Sequence, residues 1–159
     1  MSNNNKKGKS GERALAKLLN ERFKVYTQTL GCFARTIGSG NRWSQTDCLS
    51  KQASESLAGD LITPKTFKYC IENKCGYKSI SIHDIFAGSK QLDNFLFQAI
   101  TDAQRIDKLP VLIWKSDYKP YIAAVKQSID SKISISYNSW YIYSLNDWLS
   151  QSDSIFFAN

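Results

Sequence analysis

The sequence predicts an α/β domain, because segments with helical apolar spacing alternate along it with short segments suited to strands. Three observations carry that reading. After Ser89, the residues Leu92, Phe95, Leu96, Ala99, Ile100, Ala103 and Ile106 recur at helical spacing and form one apolar face. Just beyond Pro110, Val111-Leu112-Ile113-Trp114 is a continuous apolar run of the kind found in a buried central strand. Further on, Ile133, Ile135 and Tyr137 alternate before an Asn138-Ser139 turn and a return strand holding Tyr141 and Tyr143. A length of 159 residues suits one core and is too short for two ordinary ones.

Residues 1–9 hold three asparagines, three lysines and a glycine without apolar periodicity and are expected to form a mobile basic arm, with Lys7 and Lys9 able to lie along a phosphate backbone. A single domain should then occupy residues 10–159. Ser10 is the expected N-cap of a helix reaching to about Phe23, whose apolar stripe includes Leu15, Leu19 and Phe23. Glu12 falls on that stripe at its N-terminal end, so its carboxylate is expected to point inward. The simpler role for such an acid is to complement the positive helix end.

Between Val25 and Arg35 the pattern is mixed, and residues 38–58 read as a long polar loop in which Arg42 accompanies Arg35. Leu57 to Thr63 is expected as a strand, Pro64-Lys65-Thr66 as a turn and Phe67 to Cys75 as a second strand, giving a hairpin. A short turn from His83 to Gly88 leads to the amphipathic helix, which Pro110 stops. Tyr121 to Val125 can pair beside the central strand, and Leu145 to Leu149 closes the chain as a short helix.

A net charge of +7 and a pI of about 9.2 favour an anionic partner, most commonly nucleic acid. None of the four cysteines stands in Cys-x-x-Cys spacing, and His83 is the single histidine, which argues against a structural zinc. With no signal peptide ahead of them, the thiols are expected to be reduced, in a cytoplasmic protein. No apolar run approaches the length of a membrane span. His83 beside a helix start reads as structural, and no role is assigned to it.

The segment informative for chemistry is Asp60 followed by Glu72-Asn73-Lys74. Residues two apart on a strand share a face, so Glu72 and Lys74 project together. Folding about Pro64 to Thr66 would bring Asp60 within cross-strand reach of Cys70 to Glu72. Two acids held that close repel unless a proton or cation intervenes. A bound Mg²⁺ removes the conflict, since it prefers oxygen ligands and accepts one or two carboxylates alongside water. Such a site suits hydrolysis of a phosphodiester, with Lys74 orienting the attacking water or steadying the phosphate.

These residues resemble the PD-(D/E)xK nuclease superfamily and, within it, Holliday junction resolvases of archaeal and phage type. The resemblance runs from about residue 8 to 125. It rests on Gly8-Lys9-Ser10-Gly11-Glu12-Arg13, Arg35-Thr36-Ile37-Gly38-Ser39-Gly40, Gly59-Asp60, Ile71-Glu72-Asn73-Lys74 and Lys108 to Ile113. It implies a restriction-endonuclease-like core, a mixed central sheet flanked by helices. By resemblance Asp60 and Glu72 are metal ligands, Lys74 is the catalytic lysine, and Glu12 completes the metal site directly or through water. Arg35 and Ser39 correspond to the basic residue and the position that support the scissile phosphate, and such enzymes act as homodimers that nick four-way DNA junctions with Mg²⁺, or with Mn²⁺ in its place.

The chain departs from the pattern at three places. Gly59 replaces a proline, Asn73 stands where an apolar residue is usual and its side chain needs a partner, and the 41–57 loop is longer than in compact resolvases. Either Gln98 or Gln104 could match a helix glutamine found in some branches. The rival readings are a restriction-type or repair nuclease of the same fold, and a catalytically inactive DNA-binding module using the arm with Trp43, Tyr69 and Tyr77.

Overall fold

The computed structural model describes residues 3–36, 58–76, 80–130 and 133–158. Helix α1 spans Asn3–Arg22, so the residues expected as an arm form its first turns, and Ser10 lies inside the helix instead of capping it. Missing apolar periodicity shows only that a segment buries no face; lysine is itself a good helix former. Phe23 breaks the helix with its ring buried, and α2 follows at Lys24–Leu30. No residue of α2 is buried, which is why its sequence offers no stripe to read.

Strand β1, Ala34–Arg35, pairs antiparallel with β2, Leu61–Ile62. The expected hairpin is therefore not formed. Strand β3, Tyr69–Cys75, pairs in parallel with β4, Leu109–Lys115. The turn at Pro64 is real, since the Phe67 N–H donates to the Pro64 carbonyl at 3.0 Å. Beyond it Phe67 turns into an aromatic cluster and bridges Phe157 instead of laddering with β2. Burial of that ring decides the path of the chain.

Between β3 and β4 run α3, Ile82–Ala87, and α4, Lys90–Arg105. Ser81 caps the first in a capping box with Asp84, and Ser89 caps the second by accepting from the Leu92 N–H. The second helix ends ahead of Asp107, whose φ is 53°, so Pro110 is not its stop but a residue of β4 opposite Cys70. Strands β5, Ile122–Val125, β6, Ile135–Tyr137, and β7, Trp140–Ser144, complete a five-stranded mixed sheet in the order β3-β4-β5-β7-β6. The chain then adds α5, Leu145–Leu149, and α6, Asp153–Phe156. This is the α/β arrangement expected, a mixed sheet flanked by helices.

Strand alternation builds two cores. Val111, Ile113, Ala123 and Val125 face α1, packing with Leu15, Leu19 and Phe23 and with the aromatic cluster of Phe33, Phe67, Trp148 and Phe156. Leu112, Trp114, Ala124 and Ile142 face α4 and pack with Leu92, Leu96 and Ala99. Strand β3 obeys the same rule. Ile71 joins the α1 side, Asn73 and Cys75 lie against Gly11 of α1, and Cys70 packs with Ala103 of α4. Among the described residues no helix is long and apolar enough to cross a membrane.

Candidate active site

The site is built where β3 passes the start of β2. Gly59 has φ +68°, and a Cβ there would lie 2.7 Å from the Ile71 carbonyl oxygen. Proline, with φ fixed near −65°, cannot adopt this conformation, so the departure at Gly59 has a steric cause. The tight passage lets the Asp60 N–H donate to the Ile71 carbonyl at 2.9 Å. In return the Asn73 N–H donates to Asp60 Oδ2 at 2.8 Å. Asp60 is thus set beside Glu72 without the expected hairpin.

Glu72 and Lys74 project from β3 on the side facing α4. The Lys74 Nζ lies 2.5 Å from Glu72 Oε1, donates to Gln98 Oε1 at 3.1 Å and sits 5.1 Å from the centre of the Phe95 ring. Gln98 and Phe95 both come from α4, so that helix holds the ammonium over the strand. Gln98 is the helix glutamine that reaches the site, while Gln104 is exposed. Asn73, on the opposite face, finds its partner in Cys75, at 3.6 Å from Nδ2 to Sγ.

The electrostatics of the pair are unsettled in the protein alone. Glu72 is 1% exposed; its Oε1 is taken by the Lys74 ammonium, and its Oε2 is buried without a hydrogen-bond partner. Burial first, and then the charge of Asp60, push its carboxyl up to about 8, against the opposing pull of Lys74. Burial likewise pushes Asp60 up to about 6, although the Asn73 amide and Lys74 oppose it. A third acid contributes: Asp102 of α4 is buried, is itself raised by burial, and adds its charge against both carboxylates. Asp102 was not anticipated. A signal existed, because it interrupts the apolar stripe of that helix one turn beyond Gln98.

Glu12 is buried as expected, yet it ion-pairs with Arg35 and approaches from the α1 face, opposite the face on which Glu72 projects. Its charge still reaches Asp60 and helps to raise it. Among the described residues no three His, Cys, Asp or Glu side chains gather closely enough for one ion. Asp60 and Glu72 together do fit a hard divalent cation. They are oxygen donors, both are held from easy ionisation by burial, and Glu72 Oε2 is buried without a hydrogen bond. Two carboxylates match the ligand count Mg²⁺ commonly takes from a protein.

The other expected residues are less gathered. Arg35 lies on β1 beside Glu12, and Lys9 is exposed on α1, the helix whose early turns also include Lys7. Ser39, Arg42, Trp43 and Tyr77, with the 41–57 loop, fall outside the described residues. Tyr69 is core, with its hydroxyl 3.0 Å from Gln127. His83 is exposed on α3, and Cys32, Cys70 and Cys75 carry free thiols.

The family model described as "Phage putative PDDEXK endonuclease" matches residues 3–153 of this chain. A comparison with curated proteins finds no match.

Proposed function

Since that match spans nearly the whole chain, the protein belongs to the phage PDDEXK endonuclease family, and from this premise we propose that it hydrolyses phosphodiester bonds in DNA with a divalent cation held by Asp60 and Glu72. The observation carrying the proposal is the buried Glu72 carboxylate, whose Oε2 has no hydrogen bond and which stands beside a second raised acid. Two buried carboxylates facing one lysine leave a negative charge uncompensated, which is strongly unfavourable, and a cation at this point would remove the penalty. Bound Mg²⁺ or Mn²⁺ supplies Lewis acidity and positive charge at the phosphodiester.

The chain's own groups do the rest. Asp60 and Glu72 would hold the ion, while Glu12 adds negative charge from the far side of β3. Lys74, directed by Gln98 and Phe95, would orient the attacking water or steady a phosphate oxygen. Water adds to phosphorus, one phosphorus–oxygen bond to the sugar breaks, and the leaving oxygen takes up a proton. Resemblance to junction resolvases supports a four-way or otherwise branched DNA as the substrate, cut by a homodimer, with Arg35, Ser39, Arg42, Lys7 and Lys9 on the phosphates.

The test is cleavage of four-way, flapped and linear DNA by the purified protein with Mg²⁺ or Mn²⁺. Symmetric nicks in the junction with the linear duplex spared are expected. Asp60→Asn should abolish cleavage and Lys74→Ala reduce its rate by about 10²- to 10³-fold, both with DNA binding retained. Cleavage confined to a fixed sequence in linear DNA would overturn the junction assignment. No cleavage with either ion would overturn the nuclease assignment and leave a DNA-binding module.

A further inference from the structure

On the solvent side of α1 lies a groove of about 610 Å³, walled by that helix and by β1. Arg13, Lys17, Lys24 and Arg35 line it, against a single acid, Glu21. We propose that this groove is a second DNA-binding site, holding the sugar–phosphate backbone of a DNA arm as it leaves the scissile bond. The inference rests on DNA being the substrate.

Four features point to a backbone and not to a small anion. The cations are strung out in a row: Arg13 and Lys17 stand four residues apart on one face of α1, about 6 Å along the axis, and Lys24 at the start of α2 and Arg35 on β1 continue the lining. Second, the groove is open and its floor is small, because Ala16 and Ala34 stand where longer side chains would fill it. Third, its walls are fixed. Asn20 donates through Nδ2 to the Phe33 carbonyl and accepts at Oδ1 from the Phe33 N–H, both at 2.8 Å, which pins the approach to β1 against α1. Fourth, one wall ends at Arg35, which pairs with Leu61, and the next residue, Thr36, donates its N–H to the Asp60 carbonyl at 3.0 Å, so the groove starts next to the candidate active site.

Glu21 does not cancel this charge. It stands 4.0 Å from Lys17 with both side chains largely exposed, and such pairs are weak and screened by salt. Lysines and arginines in this arrangement fix the position of a duplex without reading its bases.

The experiment is fluorescence anisotropy of a labelled four-way junction and a labelled linear duplex, in EDTA so that no strand is cut, across a salt series. Lys17→Gln/Lys24→Gln is compared with Lys65→Gln/Lys119→Gln, an equal charge change at exposed positions outside the groove. The groove variant should lose affinity roughly tenfold at near-physiological salt, with the slope of log K against log salt shallower by about 0.9 for each lost contact. Its single-turnover cleavage rate at saturating DNA with Mg²⁺ should match wild type. Equal losses in the two variants, or none in the groove variant while wild type binds, would overturn the groove and leave the nuclease assignment standing. Wild type that neither binds nor cuts DNA would overturn both.

Discussion

Glu72 sets the stability of the protein as well as its chemistry. In the absence of a cation its folded carboxyl titrates near 8 and that of Asp60 near 6, both above their ordinary values. Between the ordinary and the raised values the folded state binds more protons than the unfolded one, so stability falls as pH rises. Thermal unfolding in EDTA should therefore show a melting temperature that declines from about pH 4 to about pH 8. Mg²⁺ should restore most at the alkaline end, and Glu72→Gln should flatten the upper part of the decline and abolish the Mg²⁺ effect. A melting temperature independent of pH across that window would show that the pair is not held as described. Spacing on a strand was enough to place Glu72 and Lys74 on one face, because that periodicity is fixed by backbone geometry. It could not place Glu12, whose face depends on which side of the sheet its helix packs.

Helices and strands were legible where they bury a stripe and obscure where they do not. Helix α4 and strand β6 carry a period that matches the face they hide, whereas β4, β5 and β7 hide both faces and read as continuous apolar runs. Helix α2 and the first turns of α1 have no such stripe, and the supposed hairpin failed because Phe67 gains more inside the aromatic cluster than at the end of a ladder. One contact between elements is close enough to test directly. A Cβ on Gly11 would lie 2.3 Å from Cys75 Sγ and 2.8 Å from Cys75 Cβ, so α1 sits on β3 with no room for a methyl group. Gly11→Ala should destabilise the fold by about 1 to 3 kcal/mol, the usual range for overpacking. Chemical denaturation is the check, and Cys75→Gly in the same chain should recover part of the loss. A neutral or stabilising Gly11→Ala, as expected for an open helical position, would place the helix farther from the strand.

Among the described residues, the candidate catalytic strand is also an outer strand, since β3 stands at one end of the sheet order. Exposed strand edges recruit other chains, and proteins block them in various ways. Here the block is Asp60, whose N–H takes the Ile71 carbonyl and whose carboxylate takes the Asn73 N–H. The acid proposed to hold the cation therefore also keeps the sheet from growing into a neighbouring molecule. Asp60→Ala should leave the Asn73 amide open and raise concentration-dependent self-association above wild type in light scattering. Asp60→Asn keeps a carbonyl oxygen at that place and should lose cleavage alone; equal association of the two variants would refute the guarding role. A nuclease silenced by Asp60→Ala would thus carry a second defect, in solubility, that no assay of DNA cutting would detect.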